Sequence, residues 1–341
     1  MSLLLSPYAL KNLSLKNRIV MSPMCQYSVP KKDGVPTDYH FTHYTSRAVG
    51  GVGLIVFEMT DVEPDGRITD YDLGLWSDDH VPAFSRIVDA IHTYGAKVGV
   101  QLGHAGRKAQ DAAVPVAPSA IRFEGEGYKV PREMTIDDIK RMVERYATAA
   151  QRAVQAGMDT IELHGAHGYL IHQFQSPYTN VRKDEYGQDK SRFGVEVIQA
   201  VKSVIPSTMP LIFRISAAEY VDGGYNLAYS QQLCATYAKA GVDAFDVSSG
   251  GEGPIGSSGQ PGVHPGYQLP LAYGIKSATN VPVLAVGKME DPALAESALG
   301  NGYADLINIG RALLRDPYYA LHAAQQLGDK PQPIEQYQRA F

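Results

Sequence analysis

Eight times along the chain, a short apolar, β-rich segment is followed by turn residues and then by an amphipathic helical pattern. The segments are residues 19–24, 53–60, 97–104, 160–167, 211–219, 244–249, 283–288 and 306–311. The helical patterns cover 39–49, 81–94, 136–156, 192–204, 228–240, 267–278, 292–299 and 317–327. Start signals stand at Asp79, at Thr135 with Asp138 three residues on, and at Asp291-Pro292. Parallel strands need crossover helices and eight such units can close on themselves, so the pattern predicts an α/β fold, a (β/α)8 TIM barrel. An open doubly wound sheet is the competitor, but its mark is a glycine-rich turn after the first strand, and residues 25–38 contain only Gly34. The first sixteen residues alternate around Ser6-Pro7-Tyr8 and Lys11-Asn12, which reads as an N-terminal hairpin forming a lid on the barrel bottom. No linker-like shift divides residues 1–341, so one domain is expected, with long functional loops at 105–134 and 250–266.

Charge and composition narrow the partners. The net charge of −5 comes with no basic block, so nucleic acid and anionic membranes are not expected and small molecules are. Met1 to Asn12 has no basic start, and no run of eighteen apolar residues exists, which makes a soluble, cytoplasmic protein the expectation. Two cysteines, Cys25 and Cys234, form neither a disulfide framework nor a metal-site spacing, and no metal is expected. Cys25 at a strand's carboxyl end suits a redox role; Cys234 inside a helix reads as structural.

In such a barrel the active groups come from the carboxyl ends of the strands. The densest end is residues 160–170, Thr-Ile-Glu-Leu-His-Gly-Ala-His-Gly-Tyr-Leu, which sets His164, His167 and Tyr169 within six residues. The other ends are Ser22-Pro23-Met24-Cys25-Gln26-Tyr27, Gln101-Leu102-Gly103-His104 followed by Arg107-Lys108, Ser248-Ser249-Gly250, Gly287-Lys288 and Gly310-Arg311. Parity along 211–216 puts Arg214 on the face of Ile212 and Ser216, pointing into the mouth, with Glu162 and His164 inward beside it. An Arg214–Glu162 ion pair and a ligand role for Arg214 both stand open, since a guanidinium has five donors. The glycine ends Gly287 and Gly310, with Arg311, match the fold's usual phosphate site. Gly251-Glu252-Gly253-Pro254-Ile255-Gly256 fits a dinucleotide pattern, but Pro254 and the Ser-Ser-Gly-Gln-Pro-Gly after it forbid the required helix, so the segment reads as a flexible loop.

These residues leave alternatives. His164 and His167 read as oxyanion donors, as a metal pair or as satisfied core histidines, and Tyr169 as a proton donor or as loop packing. A Schiff-base aldolase or lyase would use Lys108 or Lys288 with the phosphate grip.

Long motifs decide among them. Leu15-Lys16-Asn17-Arg18, Ser-Pro-Met-Cys-Gln-Tyr at 22–27, Gln-Leu-Gly-His-Ala-Gly-Arg-Lys-Ala at 101–109, His-Gly-Ala-His-Gly-Tyr-Leu at 164–170 and Ile-Gly-Arg-Ala-Leu-Leu-Arg-Asp-Pro at 309–317 span nearly the whole chain. Through them the chain resembles the old yellow enzyme family of FMN-dependent ene-reductases, and a bacterial subgroup within it. The resemblance implies bound FMN, NADPH as reductant in a ping-pong cycle, and an enone-type substrate. It implies that Ser22, Pro23, Met24 and Cys25 lie along the flavin, with Cys25 adjusting its redox behaviour. Met59, Gln101 and Arg214 become further flavin contacts, and Gly310 with Arg311 the phosphate grip. Tyr27, His164 and His167 become substrate contacts and Tyr169 the proton donor; the role of Lys108 stays open. A homo-oligomer, dimer or tetramer, is implied, with Arg339 of the C-terminal tail reaching a neighbouring subunit's site. Three features depart from the family: Met59 in place of a small residue, Gly165-Ala166 between the histidines, and the glycine-rich loop 250–266.

Overall fold

The computed structural model describes residues 1–257, 259–260 and 262–341. Eight parallel strands close into a barrel: β1 (Ile19–Met21), β2 (Leu54–Asp61), β3 (Lys97–Gly103), β4 (Thr160–Gly165), β5 (Leu211–Ser216), β6 (Ala244–Ser248), β7 (Val283–Ala285) and β8 (Leu306–Ile309). Each pairs with the next, and β8 pairs with β1 to complete the ring. The helices are α1 (Asp38–Val49), α2 (Val81–Thr93), α3 (Ile136–Gln155), α4 (Leu170–Gln175), α5 (Glu185–Gln188), α6 (Arg192–Val204), α7 (Leu227–Ala240), α8 (Leu269–Thr279), α9 (Pro292–Gly300), α10 (Arg311–Arg315) and α11 (Tyr319–Gln326).

Alternation along the strands builds two cores. Residues such as Ile55, Phe57, Leu211, Phe213, Phe245 and Val247 face outward under the helices. Their neighbours Val20, Leu54, Val56, Ile212, Ala244, Leu284 and Leu306 face inward and form an apolar floor. The N-terminal hairpin, Tyr8–Leu10 paired with Leu13–Leu15, presses Leu13 and Leu15 onto that floor and closes the bottom as expected. The floor therefore leaves only the upper end of the barrel for chemistry.

Helix starts follow local chemistry. Thr135 Oγ1 accepts from Asp138 N at 3.1 Å while Asp138 Oδ2 accepts from Thr135 N at 2.9 Å, a capping box that starts α3. Asp291 Oδ1 caps α9 through Ala293 N at 2.9 Å. α2 begins at Val81 as expected, with Pro82 in its first turn, but the capping side chain is Ser77 and not Asp79: Ser77 accepts from Asp79 N at the start of a 3-10 turn at Asp78–His80 that leads into the helix. Expected strand ends overshoot at the mouth. The chain leaves the ladder after Gly165 and Ala285 because His167, Gly287 and Lys288 all have positive φ, of 59°, 113° and 51°. Among the described residues no helix is long and apolar enough to cross a membrane.

Candidate active site

Parity sets the site. Two residues up β5 from the floor residue Ile212 stands Arg214, and two further stands Ser216. Register puts His164 and Asp246 level with Arg214, and Glu162 level with Gln101. Gln101, Glu162, Arg214, Asp246 and Asn308 thus make a buried polar layer above the floor. Gln101 Nε2 donates to Glu162 Oε1 at 2.6 Å and Asn308 Nδ2 to Asp246 Oδ2 at 2.8 Å. The Arg214–Glu162 ion pair does not form. Arg214 Nε lies 3.2 Å from Asp246 Oδ2, because Glu162 sits one inward position lower, level with Ile212. Burial, then the charge of Asp246, raises the Glu162 carboxyl pKa, so a protonated Glu162 needs no cation.

Above this layer the ends of β5 to β8 enclose a cavity of about 190 Å³ lined by Arg214, Ser248, Gly287, Asn308, Gly310 and Arg311. At Gly287 the φ of +113° favours glycine, and a Cβ there would also push on Gln268 Nε2, 2.7 Å away. Ser22 Oγ accepts from Arg214 Nη1 at 3.4 Å, which brings the end of β1 to the same place. Met24 borders it too, its Sδ 3.5 Å from where a Cβ on Gly310 would be. Beyond Pro23 and Met24, Glu58 Oε1 accepts from Gln26 N at 3.0 Å and fixes the segment carrying Cys25 and Tyr27. Tyr27 has φ 51° and is 47% exposed. Burial first, then Asp72, Glu58 and Asp61, holds Cys25 above the usual thiol pKa, so it meets the site as a thiol. Met59 is buried with Ile68, Ala105, Ala109 and Ala112, against Cys25 and Tyr169. Gly103 makes room for it.

The histidine turn is held from every side. His167 N donates to Ser216 Oγ at 3.0 Å, and His167 O accepts from Lys108 Nζ at 2.7 Å. Gly168 N donates to His172 Nδ1 at 2.8 Å, and Gly168 O accepts from Gln173 Nε2 at 2.8 Å. A left-handed non-glycine residue costs on the order of 1–3 kcal/mol, and these four contacts over-determine it at His167. His164 Nδ1 accepts from Ala166 N at 3.3 Å, so that nitrogen is unprotonated and the proton sits on Nε2. His167 Nε2 lies 2.7 Å from Ser248 Oγ, which leaves Nδ1 as its other ring nitrogen. The His164 ring centroid is 5.2 Å from that of His167 and 4.8 Å from that of Tyr169. Burial first, then His167 and Arg214, pushes His164 well below 6.5, and burial followed by Arg214 does the same for His167. Burial first raises the Tyr169 phenol pKa. At neutral pH the turn thus presents two neutral imidazoles and a protonated phenol.

The two lysines of the aldolase reading are engaged elsewhere. Lys108 Nζ is held by the carbonyls of His167 and Gly251, and Lys288 Nζ donates to Val263 O at 2.8 Å.

A family model described as the NADH:flavin oxidoreductase / NADH oxidase family matches residues 3–330. The chain belongs to this family. A protein called NADPH dehydrogenase from Listeria monocytogenes serotype 4a is 48% identical over 100% of both chains, and one from Bacillus subtilis 46% identical over 99% of each. Among solved structures, morphinone reductase superposes with a TM-score of 0.83 at 28% identity, covering 98% of this chain and 92% of that one. The old yellow enzyme homologue from Zymomonas mobilis gives 0.82 at 27%, covering 98% and 96%. The chain is therefore an enzyme, a flavin oxidoreductase of the old yellow enzyme family, and its cofactor is FMN.

The residues present fit that cofactor. The Arg311 guanidinium and two glycine ends suit a phosphate, Arg214 offers further donors on the same cavity, and Asn308 Oδ1, on the cavity wall, has no partner among the described residues and is left to accept from a ligand hydroxyl. Ser22, Pro23, Met24, Cys25, Met59, Gln101 and Arg214 all lie around or beneath the mouth, as do His164, His167 and Tyr169. Arg339 does not join them. It is exposed in a tail that packs Tyr337 against Tyr318 and Phe341 against His322, at ring centroid distances of 5.9 and 6.0 Å.

Several residues escape sequence reasoning. Asp246 and Asn308 carry a period-two signal along β6 and β8 that reading inward parity beyond β5 would find. His172 and Glu219 carry no local signal, while Arg107 after β3 and Glu252 in the glycine-rich segment stand out in the sequence without the pairing that gives them a role. His172, Glu219 and Glu252 hold ligand-type atoms within 4.8 Å of one another. Their contacts go to Gly168 N, Tyr225 N and Arg107, which makes them a hydrogen-bonded cluster built from the chain itself. The segment 251–256, expected to be flexible, is anchored: Gly256 N donates to Tyr220 O at 2.6 Å, and Glu252 is fully buried. Ser258 and Pro261, part of the same expected loop, lie outside the described residues.

Proposed function

We propose that this enzyme uses NADPH to reduce the C=C bond of α,β-unsaturated carbonyl compounds by a ping-pong mechanism. The observation that carries the reading is the histidine turn: two neutral imidazoles and one protonated phenol converge beside a cavity suited to FMN. FMN, when bound and reduced by NADPH, would supply a hydride to one alkene carbon, which no side chain can provide. His164 donates from Nε2 to the substrate's carbonyl oxygen. His167 donates from Nδ1, which has the Ser248 hydroxyl donating its hydrogen bond to Nε2, 2.7 Å away, rather than to Gln268 Oε1 at 3.5 Å. Together they stabilise the oxyanion that develops as the alkene is reduced, each donor contributing about 3 kcal/mol in a water-poor site. Tyr169 keeps its proton at neutral pH and delivers it to the other alkene carbon. The Cys25 thiol would border the flavin and tune it, with Ser22, Pro23, Met24, Met59, Gln101 and Arg214 supplying the remaining contacts and Gly287, Gly310 and Arg311 holding the phosphate. Tyr27 closes the substrate side.

The names of the relatives, NADPH dehydrogenase and morphinone reductase, support the reductant and the reaction type. A cytoplasmic homo-oligomer in which Arg339 enters a neighbouring copy's site completes the proposal. An anaerobic titration tests the chemistry. The purified protein is yellow, bleaches with NADPH and recolours on adding an enone. A protein without a flavin spectrum, or one that bleaches and is not reoxidised by any enone in a panel, refutes it.

A further inference from the structure

Four successive strand ends send charged or titratable side chains into one buried cluster behind the histidine turn. Arg107 follows β3, His172 lies on α4 after β4, Glu219 follows β5 and Glu252 follows β6, and none is more than 1% exposed. Glu252 stands at its centre. Its Oε1 is 3.1 Å from Arg107 Nη2, its backbone oxygen accepts from the same guanidinium, and its Oε2 is 3.5 Å from His172 Nδ1. Because His172 Nδ1 accepts from Gly168 N, its proton is on Nε2, which donates to Glu219 Oε1 at 3.0 Å. Glu219 Oε2 in turn accepts from Tyr225 N at 2.8 Å.

The loop that carries Glu252 lies directly on the histidine turn. A Cβ at Gly251 would stand 2.5 Å from His167 Cα, and one at Gly168 would stand 2.3 Å from Gly251 O. Lys108 Nζ bridges the two segments by binding both His167 O and Gly251 O. Gly250 O accepts from Ser216 Oγ at 2.8 Å, the same hydroxyl that accepts from His167 N. Gly250, Gly251 and Gly253 have no side chains to hold this loop, and Ile255 is 61% exposed. Glu252 is the buried side chain through which the loop is fastened to the core.

We infer that Glu252 is a positioning residue for the oxyanion site. By seating the loop after β6 on the turn, it keeps Ser216 and Lys108, which bind Gly250 O and Gly251 O, in the contacts that hold His167 left-handed and direct its imidazole at the substrate oxygen. The same contact gives Lys108 its role, as the tie between loop and turn. The inference rests on the reading of His164 and His167 as oxygen-binding donors.

The test uses the FMN-loaded enzyme and its Glu252→Ala, Glu252→Gln, His167→Ala and Glu252→Ala/His167→Ala variants. The dissociation constant of 4-hydroxybenzaldehyde is read from the flavin spectrum of the oxidised protein, and reoxidation by cyclohexenone by stopped flow. Glu252→Ala is expected to weaken phenol binding and slow reoxidation at least tenfold, with FMN content retained and reduction by NADPH within threefold of the parent. Glu252→Gln, which preserves shape and hydrogen bonding to Arg107, recovers most of the affinity. In the double variant the two losses do not multiply, because Glu252 acts through His167. A change under threefold in folded Glu252→Ala, or losses that multiply, overturns the inference. If Glu252→Ala does not fold, Glu252→Asp takes its place in the same cycle: unchanged affinity overturns the inference, and a loss that depends on His167 supports it. If the parent enzyme itself neither binds the phenol nor is reoxidised by enones, the proposed function fails, an outcome distinct from failure at Glu252.

Discussion

Replacing His164 by alanine tests the oxyanion site at its best-defined point. His164 is 4% exposed, neutral through burial, and its Nδ1 is occupied by the Ala166 amide, so Nε2–H is its one free donor. Alanine removes that donor and leaves His167 unaided. Loss of one preorganised donor costs about 2.7–4 kcal/mol, which corresponds to roughly a hundred- to a thousandfold slower reaction. The loss falls on the step in which negative charge grows on the substrate oxygen. Reduction of the flavin by NADPH develops no such oxyanion, and it is expected to change much less. Rapid-mixing measurements separate the two half-reactions, and a phenol titration of the oxidised enzyme reports the same donor without turnover. The expected pattern is slow reoxidation by enones, weak phenol binding and near-normal reduction. If both half-reactions fall together, the variant has damaged the flavin bed; if reoxidation and phenol affinity change less than tenfold, His164 is not an oxyanion donor.

Three further outcomes follow from the same geometry. Tyr169→Phe is expected to slow reoxidation by enones that need an acid at carbon, by about a hundredfold or more, while phenol affinity holds; unchanged rates across a substrate panel reject Tyr169 as the proton donor. Arg214→Ala removes a charged donor from the FMN cavity and strands the buried Asp246 carboxylate. FMN affinity, measured by fluorescence on titration of apoprotein, should drop by roughly ten- to a hundredfold, since hydrogen bonds to charged groups are worth about 1.5–3 kcal/mol, and wild-type affinity in the variant contradicts the assignment. The pH dependence of stability has a definite sign. His164 and His167 titrate well below their ordinary 6.5, so below that pH the unfolded chain takes up protons that the fold excludes. The contribution of these two histidines is full above pH 6.5 and declines as the pH falls, by at most about 1.4 kcal/mol per pH unit for each. Urea midpoints between pH 7 and 5 should therefore shift less in a His164→Asn/His167→Asn variant than in the parent, and equal shifts would show that these histidines do not contribute.

What the sequence reveals and what it conceals divide along a physical line. The eight strands are legible because each buries both faces, leaving apolar runs with turn residues at their ends, and the hairpin is legible because Leu13 and Leu15 alternate with polar neighbours. The groups placed around the mouth are legible for a related reason: a strand's carboxyl end is where inward parity meets the open mouth, so Ser22, Gln101, His164, Arg214 and Gly310 announce themselves by position. Strand ends are less so, since the positive φ at His167 and Lys288 is imposed by contacts from other segments. Register hid the partner of Arg214, because parity shows which face a residue takes and not which strand level it occupies. The supporting cluster was hidden more deeply. Arg107 and Glu252 are 145 residues apart, Lys108 and His167 59, and His172 and Glu219 47. Glu252 sits in a glycine-rich segment whose local chemistry points to a loose loop, and it becomes an anchor only when β3 and β6 bring a guanidinium and a carboxylate together out of water. Residues that meet a ligand must gather at one end of the barrel, whereas residues that brace them need only be close after folding, so the bracing is the part that had to be seen in three dimensions.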